Sequence, residues 1–231
     1  MTKTGTSEIR KRLSNADRRS AIIDAAAVVF AEGGLSGATT RAIAHQAGVS
    51  EALLYRHFVS KEALYFAVLR RLLRAQNEQM RRTLDVPPGE TSLVQILRNY
   101  FTGIVHLHEH VDNVVAHQVL MKSLAGDGRY ARLLYKRSFR LYRPILERIV
   151  GQWTESGLIN DCGIDLDNIH FFIDHVGLMM AMGLLSEPKI FNYANGGDDL
   201  IDQAVLFCAR GIGLPEHLIK QVPVSGNAEA A

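Results

Sequence analysis

The chain has 231 residues, 47% of them hydrophobic and 22% charged, with 19 Gly, 6 Pro and 2 Cys. That is apolar material for one large domain or two modest ones, and it excludes wholesale disorder, collagen-like repeats and disulfide scaffolds, which need strong enrichment in residues used sparingly here. The formal net charge of +2 hides an asymmetry: residues 1–82 hold 14 Lys/Arg and 7 Asp/Glu, whereas residues 83–231 hold 12 and 17, so the first third suits a polyanion and the remainder does not.

The basic start MTKTGTSEIRKRLSNADRR has no apolar core behind it and does not read as a secretory signal. The most apolar stretch, 169–185, is interrupted by His170, Asp174 and His175 and falls short of the roughly 18–20 apolar residues a bilayer span needs. The expectation is a cytoplasmic protein without membrane contact. Cys162 and Cys208 share no CxxC spacing, which favours buried free thiols over a disulfide or zinc site.

The elements then follow in chain order. From Asp17, the residues Ile22, Ala26, Val29 and Phe30 recur at helical spacing until Gly33-Gly34, which predicts a first amphipathic helix. Thr39 or Thr40 can cap a short second helix over 41–46 that buries Ile43 and Ala44. Ser50 caps a third over 51–57, with only Gly48-Val49 in the tight connection, a helix-turn-helix arrangement. Ser60 caps a fourth over 61–84, with Leu64, Val68 and Leu72 on one face. Val86-Pro87-Pro88-Gly89 breaks the helical pattern and is the best boundary by composition. Further helices are expected over 91–109, 112–124, 128–157 with Pro144 as break or kink, 165–185 and 198–212.

The run from Thr39 through Ala47-Gly48-Val49-Ser50, followed by Leu54-Tyr55-Arg56-His57-Phe58-Val59-Ser60-Lys61-Glu62-Ala63-Leu64, resembles the DNA-binding domain of the TetR family of bacterial transcriptional regulators. The likeness covers about 16–72, under a third of the chain. It implies an all-α fold in which an N-terminal three-helix helix-turn-helix domain is joined by a long helix to a helical ligand-binding and dimerisation domain. The divisions expected are a basic arm over 1–15, the DNA-binding domain over 16–62, the connecting helix and second domain over 63–222, and a frayed tail over 223–231.

The resemblance places the DNA contacts at Thr39, Thr40, Arg41, Ser50, Glu51, Ala52, Leu53, Tyr55, Arg56, His57 and Lys61. Ser50 to Leu53 form the first turn of the recognition helix, the part that enters a major groove. Ala52 is small enough for close approach, and Leu53 suits a thymine methyl. Glu51 either accepts from a cytosine amino group or complements its own helix N-terminus. Tyr55, His57 and Lys61 match positions that hold phosphates. Lys3, Arg10, Lys11, Arg12, Arg18 and Arg19 form either an arm along the DNA or a solvated tail.

For the second domain the resemblance implies an effector cavity and a dimer interface. Cavity candidates are Phe101, His106, Met121, Phe139, Tyr142 and Phe171; interface candidates are Phe172, Val176, Met180, Gly183, Ala204 and Phe207. His106, His110 and His117 fall on one face if their helix is unbroken, and with His170, Asp174 and His175 they could make a metal-responsive site; polar residues of core or pocket are the commoner reading. Arg129, Arg132, Lys136, Arg140 and Arg143 form a basic stripe, read as a solvated face or an anion site. No cofactor is expected. The sequence has no GxSxG, P-loop, dinucleotide glycine pattern or HExxH, so an enzyme is not expected. The functional expectation is a homodimeric repressor on a palindromic operator, released by a small apolar effector. A DNA-binding dimer in an architectural or protein-partner role is the alternative.

Overall fold

The computed structural model describes residues 14–157 and 163–221. Among them every regular element is helical. The expected arm residues Lys3, Arg10, Lys11 and Arg12, Cys162 and the tail over 223–231 lie outside the described residues.

The chain divides into two compact units, one through Arg70 and one from Arg71. In the first, α1 (Asn15–Gly37) begins where the Ser14 hydroxyl accepts from the Asp17 amide at 3.1 Å, an N-cap that meets an otherwise unpaired helix donor. Gly34 takes φ 65° and interrupts the helical path, which a side chain would make costly. α2 (Thr40–Gln46) is capped by Thr39, and α3 (Glu51–His57) by Ser50. Between them Gly48 has φ 63°, and the Val49 amide donates to Ala44 at 2.9 Å. Ile22, Ala26, Phe30, Ile43 and Leu54 form the core with Leu64 and Val68 from the start of α4 (Lys61–Leu84). The rings of Phe30 and Tyr65 meet edge to face at 4.9 Å.

The second unit takes the remainder of α4, then α5 (Ser92–Val105), a 3-10 turn (Leu107–Glu109), α6 (Val111–Leu124), α7 (Arg129–Glu155), α8 (Leu166–Leu185), α9 (Gly197–Gly211) and α10 (Glu216–Ile219). Helix α5 packs on α8 and α9, and α7 packs on α6 and α8. The core contains Val94, Leu97, Phe101, Trp153, Ile169, Met180, Ile201 and Val205. Arg98 of α5 forms an ion pair with Asp202 of α9, whose side chain is almost fully buried. Cys208 is a buried free thiol, and burial pushes its pKa up to about 11.

Several boundaries differ from the sequence reading. The break at 86–89 ends α4, but the units divide earlier, inside that helix. The helix expected over 91–109 stops at Val105, where His106 leaves helical geometry and Leu107 turns into the core. Helix α7 continues past Pro144. The four-residue α10 is too short for periodicity to reveal. By length and composition alone α1 and α8 could each cross a membrane, so interruption by polar residues did not settle that question for α8; both helices bury residues in the cores of their own units.

Candidate nucleic-acid interface and effector cavity

The back of α3 is anchored by Leu54, fully buried, while Ser50, Glu51, Ala52, Tyr55 and Arg56 are exposed. Leu53 and His57 are half-buried; Thr39 and Arg41 on the neighbouring α2 end are exposed. The Thr39 hydroxyl accepts from the Ala42 amide at 3.1 Å, settling that Thr39 is the cap. Thr40 donates to a Glu51 carboxylate oxygen at 2.9 Å, tying the two helix starts together and leaving Arg41 and Arg56 as the exposed cations, with His57 and Lys61 half-buried beside them. Tyr55 is 49% exposed, far more than a packing role requires, and Phe58 is buried. The Lys61 ammonium donates to the Ala38 carbonyl at 3.0 Å, so this lysine also holds the fold. Arg18 and Arg19 belong to α1 rather than to an arm, and the Arg19 guanidinium stands 4.6 Å over the Phe58 ring, a cation–π contact that sequence reasoning missed.

The second unit contains a partly open cavity of about 80 Å³. Gln76, Gln79, Met80 and Thr83 of α4 form one wall; Tyr130, Leu134, Ser138 and Tyr142 of α7 form another. Tyr100, His117 and Asp174 enter from α5, α6 and α8. An adjoining space of about 40 Å³ shares Tyr100, Ser138, Tyr142 and Asp174. The Tyr100 hydroxyl donates to Asp174 Oδ1 at 3.0 Å. Burial, then the Asp174 charge, raises the Tyr100 pKa well above its usual value. Burial also raises Asp174, against the opposing hydrogen bond from Tyr100. His117 Nδ1 is 3.0 Å from the Asn113 carbonyl, and burial holds its pKa below the ordinary 6.5.

Of the expected cavity residues only Tyr142 lines this space. Phe101 is buried in the core beneath it, and Phe139 and Phe171 stack on one another at 5.7 Å. His106 pairs with Glu109 at 2.8 Å, and Met121 lies outside the lining. Choosing aromatic residues selected the wrong face of α7: the cavity stripe is Tyr130, Leu134, Ser138 and Tyr142, at steps of four, and Phe139 is 100° away from Ser138.

The helix break at His106 separates the histidines, and among the described residues no group of three metal-ligating side chains converges. Of the basic stripe, Arg143 pairs with Glu147 and Asp167, while Lys136 and Arg140 face an open groove with Arg81 and Arg137.

On α8 and α9, Phe172 is 56% and Phe207 70% exposed, and Val176 is half-buried. Met180, Gly183 and Ala204 instead face the core of their own unit. The outward position one residue from Met180 is Met179, 49% exposed.

Two buried histidines set an acid limit on stability. Burial lowers the pKa values of His117 and His170 from 6.5, so the unfolded chain binds more protons and stability falls as pH drops through the ordinary histidine range. Asp174, raised from 3.8, acts oppositely, stabilising at low pH and losing that contribution as pH rises through its raised value. The melting temperature is expected to fall between pH 7.5 and 5.5, with a shallower slope in His117→Gln and His170→Gln. Identical slopes in wild type and both variants would remove the histidines as the cause.

A helix-turn-helix unit with an exposed, basic-flanked recognition helix, carried on a chain with a separate helical cavity-bearing unit, defines a DNA-binding regulator. The family model for bacterial regulatory proteins of the tetR family matches residues 22–68, so the helix-turn-helix unit is similar to the DNA-binding part of that family's transcriptional regulators. The chain is 28% identical over 156 residues to the transcriptional repressor KstR2 of Mycobacterium tuberculosis, covering 68% of this chain and 76% of that one. It is 41% identical over 78 residues to the transcriptional activator FasR of Mycolicibacterium smegmatis, covering 32% and 36%. The solved structure of the ketosteroid regulator KstR2 of M. tuberculosis superposes with a TM-score of 0.59 at 25% identity, covering 88% of this chain and 98% of that one.

Proposed function

We propose that the chain is a repressor that grips a palindromic operator as a homodimer and leaves it when a small, largely apolar effector fills the cavity of the second unit. The observation that carries the reading is the pairing, in one chain, of an exposed recognition helix with a partly open cavity lined mainly by apolar and aromatic groups. Two copies are needed because one seven-residue recognition helix reads too little sequence, whereas a twofold pair meets two half-sites about 34–36 Å apart. The exposed Phe172, Met179 and Phe207 supply an apolar face for that pairing. The likeness to KstR2, named for ketosteroids, favours both repression and an apolar effector. The likeness to FasR supports the opposite sign, activation, from the same DNA-binding unit. Such a regulator works where the DNA is, in the cytoplasm.

Effector occupancy releases DNA only if the ligand binds the DNA-incompetent state more tightly. Thr39, Arg41, Tyr55, Arg56 and His57 position the protein on phosphates, and Ala52 and Leu53 meet base edges. On an operator selected from a pool of random duplexes, Tyr55→Ala is expected to raise Kd roughly tenfold or more, given the 1.5–3 kcal/mol of a hydrogen bond to a charged group, with melting temperature and subunit association unchanged. An unaltered Kd would take Tyr55 out of the interface. Lys61→Ala is a poorer probe because it also frees the Ala38 carbonyl.

A further inference from the structure

The cavity lining includes one carboxylate, Asp174, and neither lysine nor arginine. Tyr100 gives its single hydroxyl proton to Asp174 Oδ1, and Asp174 Oδ2 has no hydrogen-bond donor among the described residues. The same holds on the opposite wall. His117 Nδ1 faces a carbonyl, which can only accept, so the proton sits on Nδ1 and Nε2 is left as a lone-pair acceptor. No described residue donates to it. Two strong acceptors therefore stand on cavity-lining side chains without donors, amid Met80, Ile104, Leu120, Leu134 and Leu178.

Neither atom is sealed from solvent, so a ligand that displaces the water there without supplying a donor leaves both acceptors unmet. An incoming anion would meet a like charge with no lysine or arginine in the lining to offset it. A donor reverses both terms, and the faces of Tyr100 and Tyr142 add attraction if that donor is cationic.

We infer that the cavity takes an apolar molecule whose polar group is a hydrogen-bond donor, a hydroxyl or a protonated amine, seated at Asp174, and that it refuses molecules ending in a carboxylate. This rests on the reading of the cavity as the effector site and specifies the chemistry of what enters.

Three probes with one ten-carbon body test it: decan-1-ol, decylammonium and decanoate, titrated calorimetrically into the full-length protein without DNA. Decan-1-ol and decylammonium are expected to bind, and decanoate about tenfold more weakly or not at all, as the loss of one charge-assisted hydrogen bond requires. In Asp174→Asn, which keeps an acceptor for Tyr100, decylammonium should lose its advantage and the penalty on decanoate should shrink. Decanoate binding wild type as tightly as the other two overturns the inference while leaving the cavity an apolar ligand site. A preference unchanged in Asp174→Asn also overturns it, since the selection then arises elsewhere on the surface. If none of the three binds, both the inference and the effector-site reading fall. The expected preference without release of a selected operator supports the inference and counts against release by an effector. Because the wild-type comparison decides by itself, a poorly folding variant does not protect the claim.

Discussion

Alanine in place of Asp202 is expected to cost about 3–5 kcal/mol of unfolding free energy, the penalty of leaving a buried charge without its partner. The Asp202 side chain is 5% and the Arg98 side chain 21% exposed, and the pair ties α5 to α9 in the middle of the core that also contains Leu97, Phe101, Ile201 and Val205. Arg98 Nε and Asp202 Oδ2 have no hydrogen-bond partner even in the intact protein, so the pair has no reserve of other contacts. Replacing both residues with leucine is expected to recover most of the loss, because no uncompensated charge then remains. Urea titrations of the two variants make the comparison. A loss under about 1 kcal/mol for Asp202→Ala, the size of a solvated pair, would show that water reaches the guanidinium.

Glutamate at both Phe172 and Phe207 is expected to separate the proposed dimer and, through that, to weaken operator binding by about 10²–10⁴-fold, the avidity gained when a second half-site is bound within one assembly. These two rings are the most exposed aromatic side chains on α8 and α9. Exposed phenyl surface of this kind, continued by Met179, marks an association face more often than free surface. Sedimentation and anisotropy titration on the same samples tie the two effects together. A doubly substituted protein that still sediments as a dimer with native operator affinity would place the interface elsewhere.

The DNA-binding unit was legible because each of its boundaries has a local chemical cause. Thr39 and Ser50 accept from their own helices' amides, Gly48 supplies the turn, and the intervals between Ile43, Leu54 and Leu64 are set by close packing within a few dozen residues. Tyr55 could be assigned to the surface for the same reason, since Leu54 beside it must point inward. In the second unit the helices were visible but not their rotation. Met180 was expected outward and is buried, and Phe139 rather than Ser138 was expected toward the cavity, because an apolar helix covered on several sides carries little polar contrast to orient it. The histidine alignment failed through a single residue, His106, whose departure from helical geometry is dictated by where Leu107 packs. Asp174 was read in the sequence as a metal candidate or, more commonly, a polar residue of core or pocket; its partner Tyr100 lies 74 positions earlier, a distance at which spacing carries no information.

Gly177 sits one turn beyond Asp174 on α8, and a methyl group there would fall 2.3 Å from the Tyr100 hydroxyl oxygen. The phenol reaches the carboxylate only because that position is bare. A codon change from glycine to alanine, one nucleotide, would evict the ring and strand the acid although Gly177 itself is no part of the lining. If the cavity is the effector site proposed above, deafness to the effector is thus a short evolutionary step, and it would arise on the helix wall behind that site.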